Sequence, residues 1–226
     1  MNVVDRASLA APTLGVARAL LGARLVRDDE TGRRVGRIVE LEAYIGTGDA
    51  ASHARFGPTT RNAVMFGPPG RAYVYLVYGM YHCLNVVTEP DGAPAALLVR
   101  AVEPLEGEDV MRAGRLDAAF GAHHARAADR TIAEADRISR VPAHRLASGP
   151  GLAAAAFGLD RTWTGHDLCD PGSPLRLEGR PPDEAAPPIR TTSRIGVDHA
   201  GPEWAGRPWR FVIAGHRSAS GPARGR

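Results

Sequence analysis

Residues Arg37–Ile45 read RIVELEAYI. Successive side chains of a β-strand point to opposite sides, so this stretch sorts into two faces. Val39, Leu41, Ala43 and Ile45 make one face wholly apolar, and Ile38, Glu40, Glu42 and Tyr44 share the other. The apolar face is the expected core. The strand extends back to Arg33, and the turn Asp28–Gly32 folds it onto a short strand at Ala23–Arg27. Upstream, Thr13–Leu21 has helical apolar spacing and stops at Gly22. Downstream, Arg71–Tyr78 and Tyr81–Thr88 are dense in β-formers and break at Gly79; Glu89–Gly92 is a turn and Ala95–Glu103 the next strand. Pro104 is expected to open a helix at Leu105, and the chain then reads helical and polar to about Ala147, with Asp117–Ala128 as a mobile insertion. Ser148–Gly151 followed by Leu152–Phe157 reads as an N-cap at Ser148, a proline, Pro150, in the first turn, and a short Ala-rich helix. A Pro-rich loop, Arg180–Pro188, precedes late strands at Thr191–Val197 and Trp209–Ala214. The expected fold class is α+β: a single domain, residues 1–216, with a curved antiparallel β-sheet flanked by helices, then a disordered Arg-rich tail over 217–226.

A chain of 226 residues buries a full core without disulfides or metals. It contains no lysine, so all 28 of its Lys+Arg cations are arginine, and with 25 acids the formal net charge is +3. That excess permits an anionic partner without demanding one. The missing lysine excludes a Walker A loop, a kinase-type lysine, a pyridoxal Schiff base and a lysine-based lyase. Cys83 and Cys169 form no C-x-x-C pair, and the eight histidines follow no ligand spacing, so neither a metal nor a cofactor is expected. The first residues lack the apolar core of a signal peptide, and no stretch is long and apolar enough to span a membrane. A cytoplasmic protein is the expectation.

All five tyrosines (Tyr44, Tyr73, Tyr75, Tyr78 and Tyr81) fall within one 38-residue window. Aromatic pairs stabilise sheets by themselves, so clustering alone favours a structural role. Parity says more. Glu42 lies beside Tyr44 on the non-core face, where a ligand would meet both. Tyr73 and Tyr75 share a face, whereas Tyr78 falls on the other, immediately before the flexible Gly79. Arg100 sits inside an otherwise apolar strand and needs a partner, because an unpaired buried charge is too costly; Glu40 and Glu42 are the nearest candidates.

The segments RIVELEAYIGTGDAASHA (Arg37–Ala54), TRNAVMFGPPGRAYVYLVYGMYHCLNVV (Thr60–Val87), GAPAALLVRAVEPLEG (Gly92–Gly107) and RIGVDHAG (Arg194–Gly201) resemble the alkyladenine (3-methyladenine) DNA glycosylase family. The E-x-E-A-Y and Y-V-Y-x-x-Y-G-M-Y strings are long and specific, and the blocks run in order to about Ala214. The resemblance implies a monofunctional enzyme that flips a damaged purine out of duplex DNA and cleaves its N-glycosidic bond with water, in base excision repair. By that resemblance Glu42 is the catalytic carboxylate that activates the water, Arg100 helps to hold it, and the backbone carbonyl of Ile195 is its third ligand. The charge of Arg100 would keep Glu42 ionised. Tyr44, His53 and Tyr75 surround the extruded base, whose lost stacking they replace. Tyr78 matches the side chain that fills the gap in the helix, with Met80 beside it. Asn85 matches a pocket residue that clashes with the amino group of normal guanine. His82 has no assignable role, the region Asp117–Arg145 is longer than the family pattern, and the tail has no counterpart. From Trp204 to Arg226 there are five arginines and no acid, which suits phosphate contact.

The expected partner is therefore double-stranded DNA carrying damaged purines, engaged by a monomer. The alternative is a nucleic-acid-binding β-domain without catalysis. Against it, a carboxylate beside the binding face repels phosphate and serves no purpose in binding alone. A nucleobase deaminase would need an H-x-E and P-C-x-x-C zinc signature that the chain lacks.

Overall fold

The computed structural model describes residues 2–121 and 128–221. Two short helices, α1 (Arg6–Leu9) and α2 (Thr13–Leu20), lead into the hairpin β1 (Arg24–Arg27) and β2 (Arg34–Ile45). A second hairpin, β3 (Ala72–Val77) and β4 (Tyr81–Val87), is followed by β5 (Ala95–Glu106), α3 (Glu108–Gly121), α4 (Ala128–Ser139) and α5 (Pro150–Ala156). The chain closes with β6 (Leu175–Glu178), β7 (Ile189–Thr192), α6 (Gly201–Gly206) and β8 (Arg210–Ile213). All eight strands join one antiparallel sheet, in the order β3-β4-β5-β2-β1-β6, with β8 added to β2 and β7 to β8. The result is a single α+β domain with a curled sheet and helices packed against it.

Strand β2 is the hub. One edge pairs with β5 along its length; the other is shared by β1, opposite Arg34–Arg37, and β8, opposite Glu40–Glu42. Beyond an irregularity at Val35/Gly36, the pairing of β2 with β5 is broken twice in quick succession. Ile38 faces Val102 and Glu40 faces Ala101, which leaves Val39 as an extra residue on β2; Leu41 then faces Val99, which leaves Arg100 as an extra residue on β5. Bulges re-aim side chains, and these two aim Arg100 at the carboxylates of β2. They also correct the face assignment made by parity. Ile38 does not share the face of Glu40; it packs in the main hydrophobic cluster with Val39, Leu41 and Ala43.

The local expectations hold for α2, the first hairpin and β3–β4. Other boundaries move, each for a physical reason. Pro104 does not open a helix: β5 runs on to Glu106, because a proline at a strand end lacks only a donor. Gly107, at φ +77°, turns the chain into α3, whose first turn carries Glu108 and Asp109 against the positive helix end. Ser148 is not an N-cap. It bridges to Ala101, and Gly149 occupies the cap position without a side-chain bond. The strand expected at Thr191–Val197 ends at Thr192, so Arg194 and Ile195 lie in a loop, and β6 was not foreseen. The first residues of the expected insertion, Asp117–Gly121, continue α3, and residues 122–127 lie outside the described residues. The tail expected to be disordered from Arg217 is packed in its first part: Ser218 is buried and Ser220 bonds to Glu40. Residues 222–226 lie outside the described residues. Among the described residues, no helix is long and apolar enough to cross a membrane.

Candidate active site

Glu42 is completely buried in β2, and three donors reach its carboxylate. Arg100 Nη1 reaches Oε2 at 3.2 Å, the Tyr44 hydroxyl donates to the same oxygen at 3.0 Å, and the Ile195 N–H donates to Oε1 at 2.7 Å. The parity that put Glu42 and Tyr44 on one face thus brings them into contact, and Arg100 meets both carboxylates named for it, its Nε lying 3.0 Å from Glu40 Oε1. Burial pushes the Glu42 carboxyl above the usual carboxylate range, while Arg100, the Ile195 N–H and the Tyr44 hydroxyl pull it back only in part. Arg100 does act to keep Glu42 ionised, as expected from the sequence, but desolvation outweighs it. The outcome is a more basic carboxylate.

In front of Tyr44 opens a pocket of about 490 Å³, lined by Tyr44, His53, Arg61, Tyr75, Asn85 and the hairpin residue Tyr78 among others. The sequence-expected base-binding residues converge here. His53 lies edge-on to Tyr75, with ring centres 4.5 Å apart, and shares a 2.9 Å hydrogen bond between Nδ1 and the Tyr73 hydroxyl. Burial, with help from Arg61 and Arg55, lowers the His53 pKa to about 4, so the imidazole is neutral at neutral pH. Burial raises Tyr44 and Tyr75 above the ordinary phenol range, so both keep their protons. Asn85 is buried and donates from Nδ2 to the Tyr73 carbonyl at 3.0 Å, which fixes its side chain at the pocket wall. Met65, Tyr73 and Ala96 line the pocket and belong to a small apolar cluster with Ala54 and Val87.

Tyr78 and Met80 stand at the tip of the β3–β4 hairpin. Tyr78 is 86% exposed, which removes it from the core, and Met80 is 44% exposed. Both central residues of the Val77–Met80 turn have positive φ, 52° at Tyr78 and 67° at Gly79, the requirement of a primed hairpin turn. A tyrosine in that region carries strain of about 1–3 kcal/mol, and such strain clusters at working sites. His82, to which the sequence assigned no role, lines a separate cavity of about 560 Å³ with Tyr81 and Asp160.

Two parts of the site escaped the sequence reading, and a third lay in the tyrosine window without an assigned role. The first is Asp49 with Arg194: a bidentate pair at 2.6 and 2.9 Å, both side chains fully buried. Arg194 also stacks on Tyr44 and bonds the Ala43 carbonyl, so it pins the loop that carries Ile195 against the end of β2. The second is Arg210 of β8 with Ser220, both bonded to Glu40. The third is Arg61, whose guanidinium lies 5.4 Å from the centre of the Tyr75 ring. Asp49, Arg61 and Arg194 lie inside the sequence blocks that carry the family resemblance and Arg210 and Ser220 do not, but nothing in residue type or spacing names the partners of any of them. Among the described residues, no three His, Cys, Asp or Glu side chains gather as metal ligands.

The profile of the methylpurine-DNA glycosylase family matches residues 7–217. The chain belongs to that family. A relative from Methanocella arvoryzae is 49% identical over 211 residues, covering 93% of this chain and 92% of its own. One from Myxococcus xanthus is 44% identical over 227 residues (100% and 98%), and one from Streptomyces avermitilis 42% over 214 (93% and 87%). All three bear the name "Putative 3-methyladenine DNA glycosylase". This methylpurine-DNA glycosylase family member is thus a DNA glycosylase by family, a hydrolase of DNA repair, as its motifs implied.

Proposed function

We propose that the protein removes alkylated or deaminated purines from duplex DNA by base flipping and hydrolysis of the N-glycosidic bond. Glu42 acts as general base on the attacking water, and Arg100 and the backbone at Ile195 hold carboxylate and water in register. The observation that carries this reading is the position of Glu42: a fully buried carboxylate, raised in basicity, directly behind an aromatic pocket and joined to it by the Tyr44 hydroxyl. Burying a carboxylate beside a surface meant for a polyanion costs stability and hinders binding, so a non-catalytic binding domain gains nothing from it. Tyr44, Tyr75 and the neutral His53 offer ring surface to a base that has lost its neighbours, and electron-rich ring faces favour the cationic charge of an alkylated purine. Asn85 then screens the base by shape at the pocket wall.

The test is excision by purified protein on a panel of duplexes, each with one lesion. Release of free base, leaving an intact abasic strand, is the expected result; with no lysine in the chain, strand cleavage is not. Activity should survive EDTA and dialysis, and a loss restored by zinc would contradict the scheme. Stable binding of lesion DNA without release of any base would favour the non-catalytic alternative.

Tyr78 is proposed to occupy the space vacated by the flipped nucleotide, with Met80 next to it. Tyr78→Ala should leave the melting temperature nearly unchanged, since the ring is exposed. It should weaken capture of the flipped base by about 1–3 kcal/mol, the usual worth of a base–aromatic stack. Fluorescence of ethenoadenine in duplex reads the flipping directly. Normal flipping in this variant would remove Tyr78 from the mechanism.

A further inference from the structure

Glu40 stands two residues before Glu42 and is equally inaccessible to solvent. Its Oε1 accepts from Arg100 Nε at 3.0 Å, Arg210 Nε at 2.7 Å and the Ser220 hydroxyl at 2.8 Å, and its Oε2 accepts from the Ser220 N–H at 2.5 Å. Two guanidiniums and two neutral donors thus converge on one carboxylate. Arg100 gives Nε to Glu40 and Nη1 to Glu42, so a single cation is divided between two carboxylates. Arg210 is held in turn by Thr192 Oγ1 and the Ser220 carbonyl, and lies opposite Glu42 in the β2–β8 ladder.

We propose that Glu40, clamped by Arg210 and Ser220, is a positioning residue that fixes Arg100 and takes up part of its charge, and so sets the pH at which Glu42 works. The inference rests on the reading of Glu42 as the base. A lone guanidinium against a lone carboxylate would hold Glu42 firmly but at the cost of its basicity, because an opposite charge favours the ionised form. Sharing Arg100 with Glu40 keeps the geometry and returns basicity. The charged and titratable groups around Glu42 are Arg100 from β5, Glu40 and Tyr44 from β2, Arg210 from β8, Tyr75 and Cys83 from the β3–β4 hairpin, and, from the Ile195 loop, Arg194, whose charge is matched by Asp49. Neither Arg210 nor Ser220 hydrogen-bonds the Glu42 carboxylate; both bond Glu40, and the Ser220 hydroxyl also accepts from Arg100 Nη2 at 3.5 Å.

The proposal predicts shifts of opposite sign. Glu40→Gln removes a repelling charge from Glu42 and leaves Arg100 to it alone, so the acidic limb of the single-turnover rate should move to lower pH by about 1 unit or more. Arg210→Met leaves the Glu40 charge under-compensated, so the limb should move to higher pH. Ser220→Ala removes one donor and no charge, and should shift the limb slightly upward. Profiles are measured on the lesion duplex that the parent cuts fastest, with melting curves for each variant. A network that only supports the fold predicts lower melting temperatures and lower rates at every pH, with the limb unmoved; that result overturns the proposal. If Glu40→Gln does not fold, Arg210→Met decides, and Ser220→Ala decides if neither folds. Failure of the underlying reading is distinguishable, because then Glu42→Gln itself would cut normally.

Discussion

Glu42→Gln is expected to bind lesion DNA as the parent does and to lose about 10²–10⁴-fold in excision rate, the usual loss on removing a general base. The substitution keeps the shape and one oxygen but removes the basic site. The fold should survive, because Arg100 keeps its bond to Glu40 and no guanidinium is left wholly unpaired. Some stability will go, since the carboxylate accepts from Ile195, Tyr44 and Arg100, and an amide offers only one acceptor oxygen to the three. Single-turnover excision and equilibrium binding on the same duplex separate the two effects. The parent should also show an acidic limb. Excision requires ionised Glu42 and falls as pH drops through its pKa; burial raises that pKa, so the limb should lie above the range of an exposed carboxylate and vanish in the variant. A variant that cuts at near the parental rate would exclude Glu42 as the base.

Asp49→Ala is expected to be the most destabilising single change in the site. Asp49 is fully buried and accepts from both Nη atoms of Arg194 and from the N–H groups of Ile45 and Ala51. Its removal leaves a guanidinium buried without its counter-charge, at a cost of about 3–5 kcal/mol. For a domain of this size each kcal/mol lowers the melting temperature by roughly 2–4 °C, so a fall on the order of 6–20 °C should be seen by calorimetry or circular dichroism. Activity should fall beyond the loss of folded protein. Arg194 positions the loop whose next residue, Ile195, donates to Glu42, and its guanidinium lies 4.7 Å from the centre of the Tyr44 ring. A melting temperature within about 2 °C of the parent, below the shift expected for a single kcal/mol, would show that the pair contributes little.

Much of the site was legible because it lies on strands with a strict period. Glu42 and Tyr44 are two residues apart on β2 and meet by geometry alone. Arg100 was conspicuous as a charge in an apolar strand, and cost considerations pointed to Glu40 and Glu42. Tyr78 stood out by parity and by its glycine neighbour. The period failed where the backbone departs from regularity: the bulge at Val39 moved Ile38 into the core, and no alternation rule reports a bulge. Ser148 and Pro104 misled because capping and breaking rules are local, while the bridge to Ala101 and the continuation of β5 along β2 are long-range.

The sequence by itself determined the class of the fold, the family, the aromatic character of the pocket and the two carboxylates that Arg100 meets; that both carboxylates are fully buried came from the fold. The former are encoded in residue type and short spacing, where strand geometry converts one directly into the other. Only the tertiary structure decided which of the 28 arginines join Arg100 at the site. Arg194 and Arg210 reach β2 from 151 and 170 residues away along the chain, and Ser220 from 180. A guanidinium has no periodic signature, and its partner is chosen by which backbone the folded sheet brings within a side chain's reach. The state of Glu42 is likewise a property of the fold: desolvation, set by everything packed around it, outweighs the single charge that the sequence placed beside it.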